Sequence, residues 1–233
     1  ALDGVDRWQA KVMPGELFTP VVNLCAVDQR RTVIRSNPEV TGRGVGFNTV
    51  IETAGKAGYK GDLPRSPELY AGKFRTSLAD AVNALYMIGN GGLNVQLSAV
   101  RQVGTTKKNL VMVNAPSSEE THREILPRES VHLVAGLPPF RYDERTRRTV
   151  VNVALPEYSG HFSSVRGRYY TVYVWVGFDA PDEAVYKKRG VSAALAKTCS
   201  TLAENVYIRA EEARKAAAAE RREQETPQGQ TSL

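Results

Sequence analysis

The chain has 233 residues, 42% of them hydrophobic and 24% charged, which is ordinary for a soluble globular protein. No run of 18 apolar residues occurs, so we predict no transmembrane helix and no membrane partner, and the N-terminus does not resemble a signal peptide. The formal net charge of +6 permits a polyanionic partner, nucleic acid above all, but it fits a mildly basic protein without such a partner equally well.

The first third of the chain combines apolar runs with many glycines and prolines. Residues 16–27 and 32–35 predict the two strands of a hairpin, and Pro20 predicts an edge or a bulge in the first of them. Residues 36–72 predict a long irregular segment with one strand at residues 47–51. Because such long loops are unusual in compact domains, we expect this one to serve at an interface, with mobile disorder as the alternative.

The middle of the chain predicts one helix and several strands. Residues 76–88 carry apolar side chains at helical spacing, and a glycine-rich stretch ends the pattern. Alternation at residues 93–103 and 109–114 predicts a hairpin around a polar turn. Residues 131–135 and 148–155 predict two further strands.

The last third contains the strongest strand signal. Residues 168–178 are rich in aromatic and β-branched side chains, and a loop is predicted before them at 156–167. Acidic residues, a proline and a closing Lys-Lys-Arg-Gly predict a short helix over residues 179–190. A longer helix follows at residues 191–222, with an apolar stripe that fades toward its end.

Strands and helices do not alternate as a parallel series would require. We therefore predict an α+β fold, a mainly antiparallel sheet with helices on one face and a long C-terminal helix. No linker divides the chain, so we expect a single domain over residues 1–225 and a tail at 226–233. Cys25 and Cys199 lie in apolar or helical patterns, which favours buried free thiols over a disulfide.

No motif predicts a catalytic or cofactor site. The stretch from Gly42 to Gly46 lacks the Gly-Lys-Ser/Thr ending of a phosphate loop and is interpreted as a turn. His122, His132 and His161 have no metal-ligand spacing. The nearness of Ser159 to His161 in sequence does not make a triad, because catalysis depends on spatial geometry. We therefore predict no metal, no cofactor and no enzymatic activity.

Basic residues cluster at turns and beside aromatic residues, where they could neutralise phosphates while the rings stack on bases. A solvated surface is the alternative interpretation of each cluster. The candidate RNA-binding residues are Arg101, Lys107, Lys108, Arg141, Arg147, Arg148, Arg166 and Arg168.

The stretch Leu93–Gln102, its Gly-Thr-Thr-Lys-Lys turn and the returning Leu110–Val113 resemble the central hairpin of single-stranded RNA bacteriophage coat proteins. The strand Tyr169–Phe178, with helices after it, is similar to the end of that fold. The resemblance implies a sheet that faces RNA, C-terminal helices that clasp a partner subunit, and RNA contacts at Arg101 and Lys107.

From these features we predict a virion coat protein that self-assembles, at least as a dimer, and binds RNA. Its expected location is the virion, or otherwise the cytoplasm. The alternatives are an RNA-binding accessory subunit of a ribonucleoprotein complex and an enzyme with no recognisable motif. Self-assembly would favour the first, and a pocket holding groups of perturbed pKa would favour the last.

Overall fold

The computed structural model describes residue 9 and residues 11–34, 37–93, 125–177 and 183–225, with side chains as far as residue 220. The fold is α+β, with antiparallel sheets and a long C-terminal helix, which confirms the predicted fold class. The chain divides into two compact units, residues 1–139 and residues 140–233. The predicted single domain stays a prediction, because one domain can contain two compact units.

The first unit is mainly helical. Its described residues include a small antiparallel sheet of two short strands, β1 and β2, and short 3-10 helices. Its elements in chain order are β1 (Lys11–Val12), a 3-10 helix (Gly15–Phe18), α1 (Thr19–Asp28), α2 (Pro38–Val45), α3 (Phe47–Lys56), a 3-10 helix (Pro67–Leu69), β2 (Thr76–Ser77), α4 (Leu78–Gly89) and α5 (Arg128–Val134).

Helix α1 corrects the strand predicted at residues 16–27. Pro20 lies in the first helical turn, where its missing N–H costs no hydrogen bond, so it begins a helix and does not mark a strand edge. Every residue from Pro20 to Ala26 is buried. A helix that is apolar on all sides shows no 3.6-residue period, and its sequence therefore looks like a buried strand.

Helices α2 and α3 correct the irregular segment predicted at residues 36–72 and its strand at 47–51. Asn37 caps α2, because its side chain accepts a hydrogen bond from the backbone N–H of Val40 at 3.1 Å. Gly42 lies inside α2 and not in a turn, and a Cβ there would overlap the ring of Tyr70. This glycine is therefore needed for close packing.

The core of the first unit is built around Phe18. Its ring meets Tyr59 and Phe74 edge to face, with centroids 5.1 and 4.9 Å apart. Helix α4 confirms the helix predicted at residues 76–88. Ser77 caps it by accepting a hydrogen bond from the Asp80 backbone N–H at 3.1 Å. The strand predicted at residues 131–135 is wrong, since these residues belong to α5 and the turn after it. The predicted hairpin of residues 93–114 lies, apart from residue 93, outside the described residues.

The second unit is a four-stranded antiparallel sheet, with strands in chain order, and two helices. Its elements are β3 (Arg141–Asp143), β4 (Arg148–Leu155), β5 (Gly160–Arg166), β6 (Thr171–Val176), α6 (Glu183–Tyr186) and α7 (Val191–Glu225). The predictions of β4, β6, the short helix and the long helix are confirmed.

Strand β5 corrects the loop predicted at residues 156–167. Its histidine and serines are weak strand formers, but β4 and β6 pair with it along its length. Backbone pairing on both sides therefore overrides the local preference.

Helix α7 packs on β5 and β6 of its own unit. Val165 of β5 forms a buried cluster with Ala203 and Tyr207 of α7. Cys199 is also buried in this layer, and both cysteines are free, as predicted. Among the described residues, no helix is both long enough and apolar enough to cross a membrane.

Candidate functional site

His161 is the centre of a polar cluster on strand β5. Because strand side chains alternate, His161, Ser163 and Val165 share the sheet face on which α7 packs. The backbone carbonyl of His161 accepts a hydrogen bond from the Cys199 thiol of α7 at 3.3 Å. The imidazole is only 8% exposed, so its ring is held between the sheet and the helices.

Tyr186 brings the first hydroxyl to this imidazole. Its Oη lies 2.9 Å from His161 Nε2, and the two rings are nearly parallel, at 8°. The turn before β5 braces Tyr186, because Tyr158 packs on it with centroids 5.3 Å apart. Glu157 and Tyr158 both have positive φ, 54° and 57°, which is uncommon for residues with side chains. Tyr158 Oη also donates a hydrogen bond to Glu183 Oε1 at 2.9 Å, and this bond connects the turn before β5 to α6.

Ser192 brings the second hydroxyl. It lies in the first turn of α7, and its Oγ is 3.3 Å from His161 Nε2 and donates to Tyr186 Oη at 3.3 Å. The first backbone N–H groups of a helix have no partner within the helix and carry partial positive charge. Ser192 is therefore placed where a developing negative charge would be stabilised.

Burial lowers the pKa of His161 from its usual value near 6.5. The imidazole is therefore neutral at pH 7, and in the tautomer with the proton on Nδ1 its Nε2 accepts a hydrogen bond. Ser192 then donates to Tyr186, and Tyr186 donates to His161. This chain of two hydroxyls ending on a neutral imidazole can carry a proton away from the serine, which is what activation of a nucleophile requires.

A second polar feature of this unit is a cavity of about 570 Å³ between the β3–β4 hairpin, β5 and α7. Arg141 and Arg148 line it, together with Arg145 and Glu204. Among the described residues, no group of three or more His, Cys, Asp or Glu side chains could hold a metal ion.

The structure places the predicted RNA-binding residues in several locations. Arg101, Lys107 and Lys108 lie outside the described residues. Of the other five, Arg141 and Arg148 come together in the cavity. Arg166 extends from the opposite face of the sheet, because it alternates with Val165 on β5. The RNA contacts of the eight residues stay a prediction.

Sequence reasoning missed Tyr186 and Ser192. It noticed Ser159 beside His161, but Ser159 Oγ donates to the Pro156 backbone carbonyl at 2.8 Å. The serine that reaches the imidazole is Ser192, 31 residues away in sequence. The two are brought together by the β6–α6–α7 connection, and no local spacing in the sequence reports that.

Comparison with solved structures finds the penicillin-binding protein PonA1 from Mycobacterium tuberculosis, with a TM-score of 0.57 and 15% identity over 78% of this chain and 64% of that chain. The transpeptidase domain of the FtsI4 D,D-transpeptidase from Legionella pneumophila follows, with a TM-score of 0.39 and 9% identity over 74% of each chain. No family model and no curated protein matches. Of these two, PonA1 is close enough to indicate a shared fold, and this chain spans less than two thirds of it.

The fold likeness to PonA1 overturns the resemblance to bacteriophage coat proteins. The physical reason is visible in α7, which covers its own sheet where a coat protein's helices would clasp a partner. The prediction of an RNA-binding coat protein located in the virion is wrong with it. RNA as a partner and the roles of the eight basic residues stay predictions. The exclusion of enzymatic activity is contradicted by the same fold likeness to a penicillin-binding protein. Self-association stays a prediction.

The sequence nevertheless lacks the motifs of such enzymes. Penicillin-binding proteins use a serine in a Ser-x-x-Lys motif and a separate Lys-Thr-Gly motif. Neither motif occurs anywhere in this chain. Acyl transfer by this chain would therefore need a different serine, and among the described residues Ser192 is the serine whose hydroxyl contacts an imidazole.

Proposed function

We propose that this chain is a cell-envelope domain of the penicillin-binding type that transfers acyl groups of peptide substrates, with Ser192 as the nucleophile. The fold likeness to PonA1 supports the class of protein. The hydrogen-bonded chain from Ser192 through Tyr186 to His161 supports the chemistry and is the observation on which the proposal depends.

In the proposed reaction, Ser192 Oγ attacks the acyl carbonyl carbon. Its proton passes to Tyr186 Oη, and the proton of Tyr186 passes to His161 Nε2, so an imidazolium forms. As the C–N bond to the leaving amine breaks, the imidazolium returns a proton to that nitrogen by the same route, and the acyl group remains on Ser192 as an ester. Water or an acceptor amine then releases the acyl group.

The surroundings of the cluster act on this sequence in two ways. Burial lowers the pKa of His161, which keeps the imidazole in the neutral form that accepts the proton and also makes it a weaker base, because burial disfavours the imidazolium. The first turn of α7 contains Ser192, and the backbone N–H groups of Ser192 and Ala193 are the ones proposed to stabilise the oxyanion, because those of Val191 and Ala194 already donate to the Lys188 and Gly190 carbonyls. Both effects come from the position of the cluster between β5 and the start of a long helix.

Labelling with a fluorescent penicillin and with a fluorophosphonate tests the proposal, because both react with activated serines. We expect label on the wild type, and labelling about 100-fold slower or less in Ser192→Ala. Ser200→Ala is the matched control. It removes a serine from the same helix, whose Oγ donates to the Lys197 backbone carbonyl at 3.1 Å, and it should label like the wild type.

Two results would count against acyl transfer at this site. One is equal labelling of Ser192→Ala and wild type while both have the same melting temperature. The other is a wild type that neither probe labels, even if it binds peptides without forming a covalent bond.

A further inference from the structure

Exposed tyrosines gather at one end of the sheet in the second unit. Tyr142 is 59% exposed, Tyr169 52% and Tyr170 38%, whereas the other described tyrosines are buried or half-buried. Tyr142 belongs to β3, just before the β3–β4 turn, and the other two belong to the β5–β6 turn. Because the strands are antiparallel and lie in chain order, both turns are at the same end of the sheet.

Four arginines share this end of the sheet. Arg145 and Arg147 are exposed in the β3–β4 turn, Arg168 is exposed in the β5–β6 turn, and Arg166 is half-buried at the end of β5. None of the four forms an ion pair with a described residue. We call these four arginines and the three tyrosines the turn surface. Its positive charges are therefore not neutralised within the described part of the chain.

The sheet register aligns a tyrosine and an arginine of the turn surface. Tyr142 is aligned with Thr149, and Thr149 is aligned with Arg166. Val165, the neighbour of Arg166, packs on α7, so Arg166 and Tyr142 both lie on the face away from α7. They are two strands apart, which is about 10 Å. The aromatic ring and the guanidinium therefore share one row across the sheet.

The acids near the turn surface do not cancel its charge. Asp143 is used by the turn, since its carboxylate accepts a hydrogen bond from the Arg145 backbone N–H at 3.0 Å. Glu144 is exposed. Glu204 of α7 lies on the opposite face of the sheet, 3.6 Å from Arg148, and these two charges balance each other. The four arginines therefore outnumber the carboxylates of Asp143 and Glu144, and the turn surface keeps a net positive charge.

Two guanidinium groups hold the ring of Tyr169. The guanidinium of Arg214 in α7 lies 3.9 Å from the ring centroid, and that of Arg168 lies 5.3 Å from it. Arg214 is itself held by Glu211 at 3.3 Å. A nucleic-acid base that stacks on tyrosine needs an open ring face, and guanidinium groups already lie over this ring. A fixed, half-exposed ring with an apolar body and a polar hydroxyl suits a lipid–water boundary, where tyrosine is enriched.

We propose that the turn surface docks on the anionic headgroups of a phospholipid bilayer. The arginines bind lipid phosphates, and the exposed tyrosine rings bury apolar surface among the headgroups. The sequence-based prediction of no membrane partner follows from the lack of a spanning helix, and docking on a surface needs none. This function goes beyond acyl transfer, since His161 lies at the other end of β5, about 17 Å from Arg166 along the strand.

Co-sedimentation with vesicles tests the proposal. We expect the protein to bind vesicles made of equal parts phosphatidylglycerol and phosphatidylcholine. Binding to pure phosphatidylcholine vesicles should be at least about tenfold weaker, because these carry no net charge. Binding to the mixed vesicles should weaken at least about tenfold between roughly 0.1 M and 1 M salt, because the Debye length falls from about 10 Å to about 3 Å.

Two double variants separate the effect of charge from that of apolar burial. Arg145→Gln/Arg147→Gln removes two exposed guanidinium groups and should weaken binding to the mixed vesicles at least about tenfold, since each basic residue contributes about fivefold at an anionic surface. Tyr142→Ser/Tyr170→Ser keeps the charge and should weaken this binding about fivefold or more, because two rings no longer bury apolar surface.

The matched control is Arg30→Gln/Arg31→Gln. It removes the same charge from two exposed arginines of the first unit, and it should bind the vesicles like the wild type. Melting temperatures of all variants identify any loss of binding that comes from unfolding. Penicillin labelling should be unchanged in Arg145→Gln/Arg147→Gln, and vesicle binding is measured without any reaction at Ser192, so the failure of either proposal is distinguishable from the failure of the other.

Several outcomes would overturn the proposal. They are equal binding to charged and uncharged vesicles, wild-type affinity of Arg145→Gln/Arg147→Gln or of Tyr142→Ser/Tyr170→Ser, and an equal loss of binding in Arg30→Gln/Arg31→Gln. A single-stranded oligouridine that binds more tightly than the vesicles, through the same arginines, would assign the turn surface to nucleic acid instead.

Discussion

Buried polar side chains serve different purposes in the two compact units. In the first unit two of them satisfy the backbone: Ser77 caps α4, and Thr41 accepts from the backbone N–H of Ile34 at 2.9 Å. Three others have a buried oxygen without a hydrogen-bond partner among the described residues, namely Asn23, Tyr59 and Thr76. In the second unit the hydroxyls around His161 bond to one another and to its imidazole. Burying a polar group costs free energy unless the group is hydrogen-bonded. The hydroxyl–imidazole network of the second unit caps no helix, so a catalytic role accounts for it better than a contribution to stability.

The largest effect that would test this contrast is expected at Tyr186. Tyr186→Phe keeps the ring and removes the hydroxyl through which the Ser192 proton is proposed to pass, which leaves only the direct contact of 3.3 Å between Ser192 Oγ and His161 Nε2. We expect serine labelling to slow by about 100-fold or more, as for loss of a general acid–base group, with little change in the free energy of unfolding. Tyr170→Phe, at a tyrosine 38% exposed, is the control. Normal labelling of Tyr186→Phe would show that the hydroxyl carries no proton.

The next effect concerns packing in the first unit. Gly42→Ala would force a methyl group into the Tyr70 ring, and such overpacking costs about 1–3 kcal/mol. Gly44 lies in the same helix with open space around its Cβ position, so Gly44→Ala should stabilise by about 0.5–1 kcal/mol. Urea unfolding of both variants measures the difference. Equal effects of the two substitutions would contradict the packing described for α2.

A smaller effect is expected at the cap of α4. Ser77→Ala leaves the Asp80 N–H without its partner and should cost about 1 kcal/mol of unfolding free energy, while serine labelling stays unchanged. Ser66→Ala is the control, because Ser66 Oγ accepts no capping hydrogen bond from a backbone N–H and donates only to the exposed Glu68 carboxylate at 3.2 Å. A labelling rate that falls together with stability in Ser77→Ala would weaken the contrast between the two units.

The smallest effect is a dependence of stability on pH. Because burial lowers the pKa of His161 in the folded state, the unfolded chain takes up the proton first as the pH falls. The contribution of neutral His161 to stability is therefore complete above about pH 6.5, the unfolded pKa, and declines below it. Unfolding free energies of wild type and His161→Gln between pH 5 and 8 should diverge in this way, and parallel curves would contradict it.

The sequence predicted the second unit better than the first for a physical reason. Strand β6 is dense in β-branched and aromatic residues, and helix α7 is partly exposed, so its apolar residues recur with a readable period. Helix α1 is buried on all sides, so its sequence shows no helical period. The glycines of α2 predict a turn, whereas Gly42 lies inside the helix and allows close packing against Tyr70. The candidate site could not be predicted from the sequence, because only the tertiary fold brings Ser192 into contact with His161.

The most direct test of the account is the location of the covalent adduct. After reaction with penicillin or fluorophosphonate, the protein is digested and the modified peptide is identified by mass spectrometry. The account predicts one adduct, on Ser192 at the start of α7. An adduct on any other residue, or unmodified protein after prolonged reaction with both probes, would contradict it.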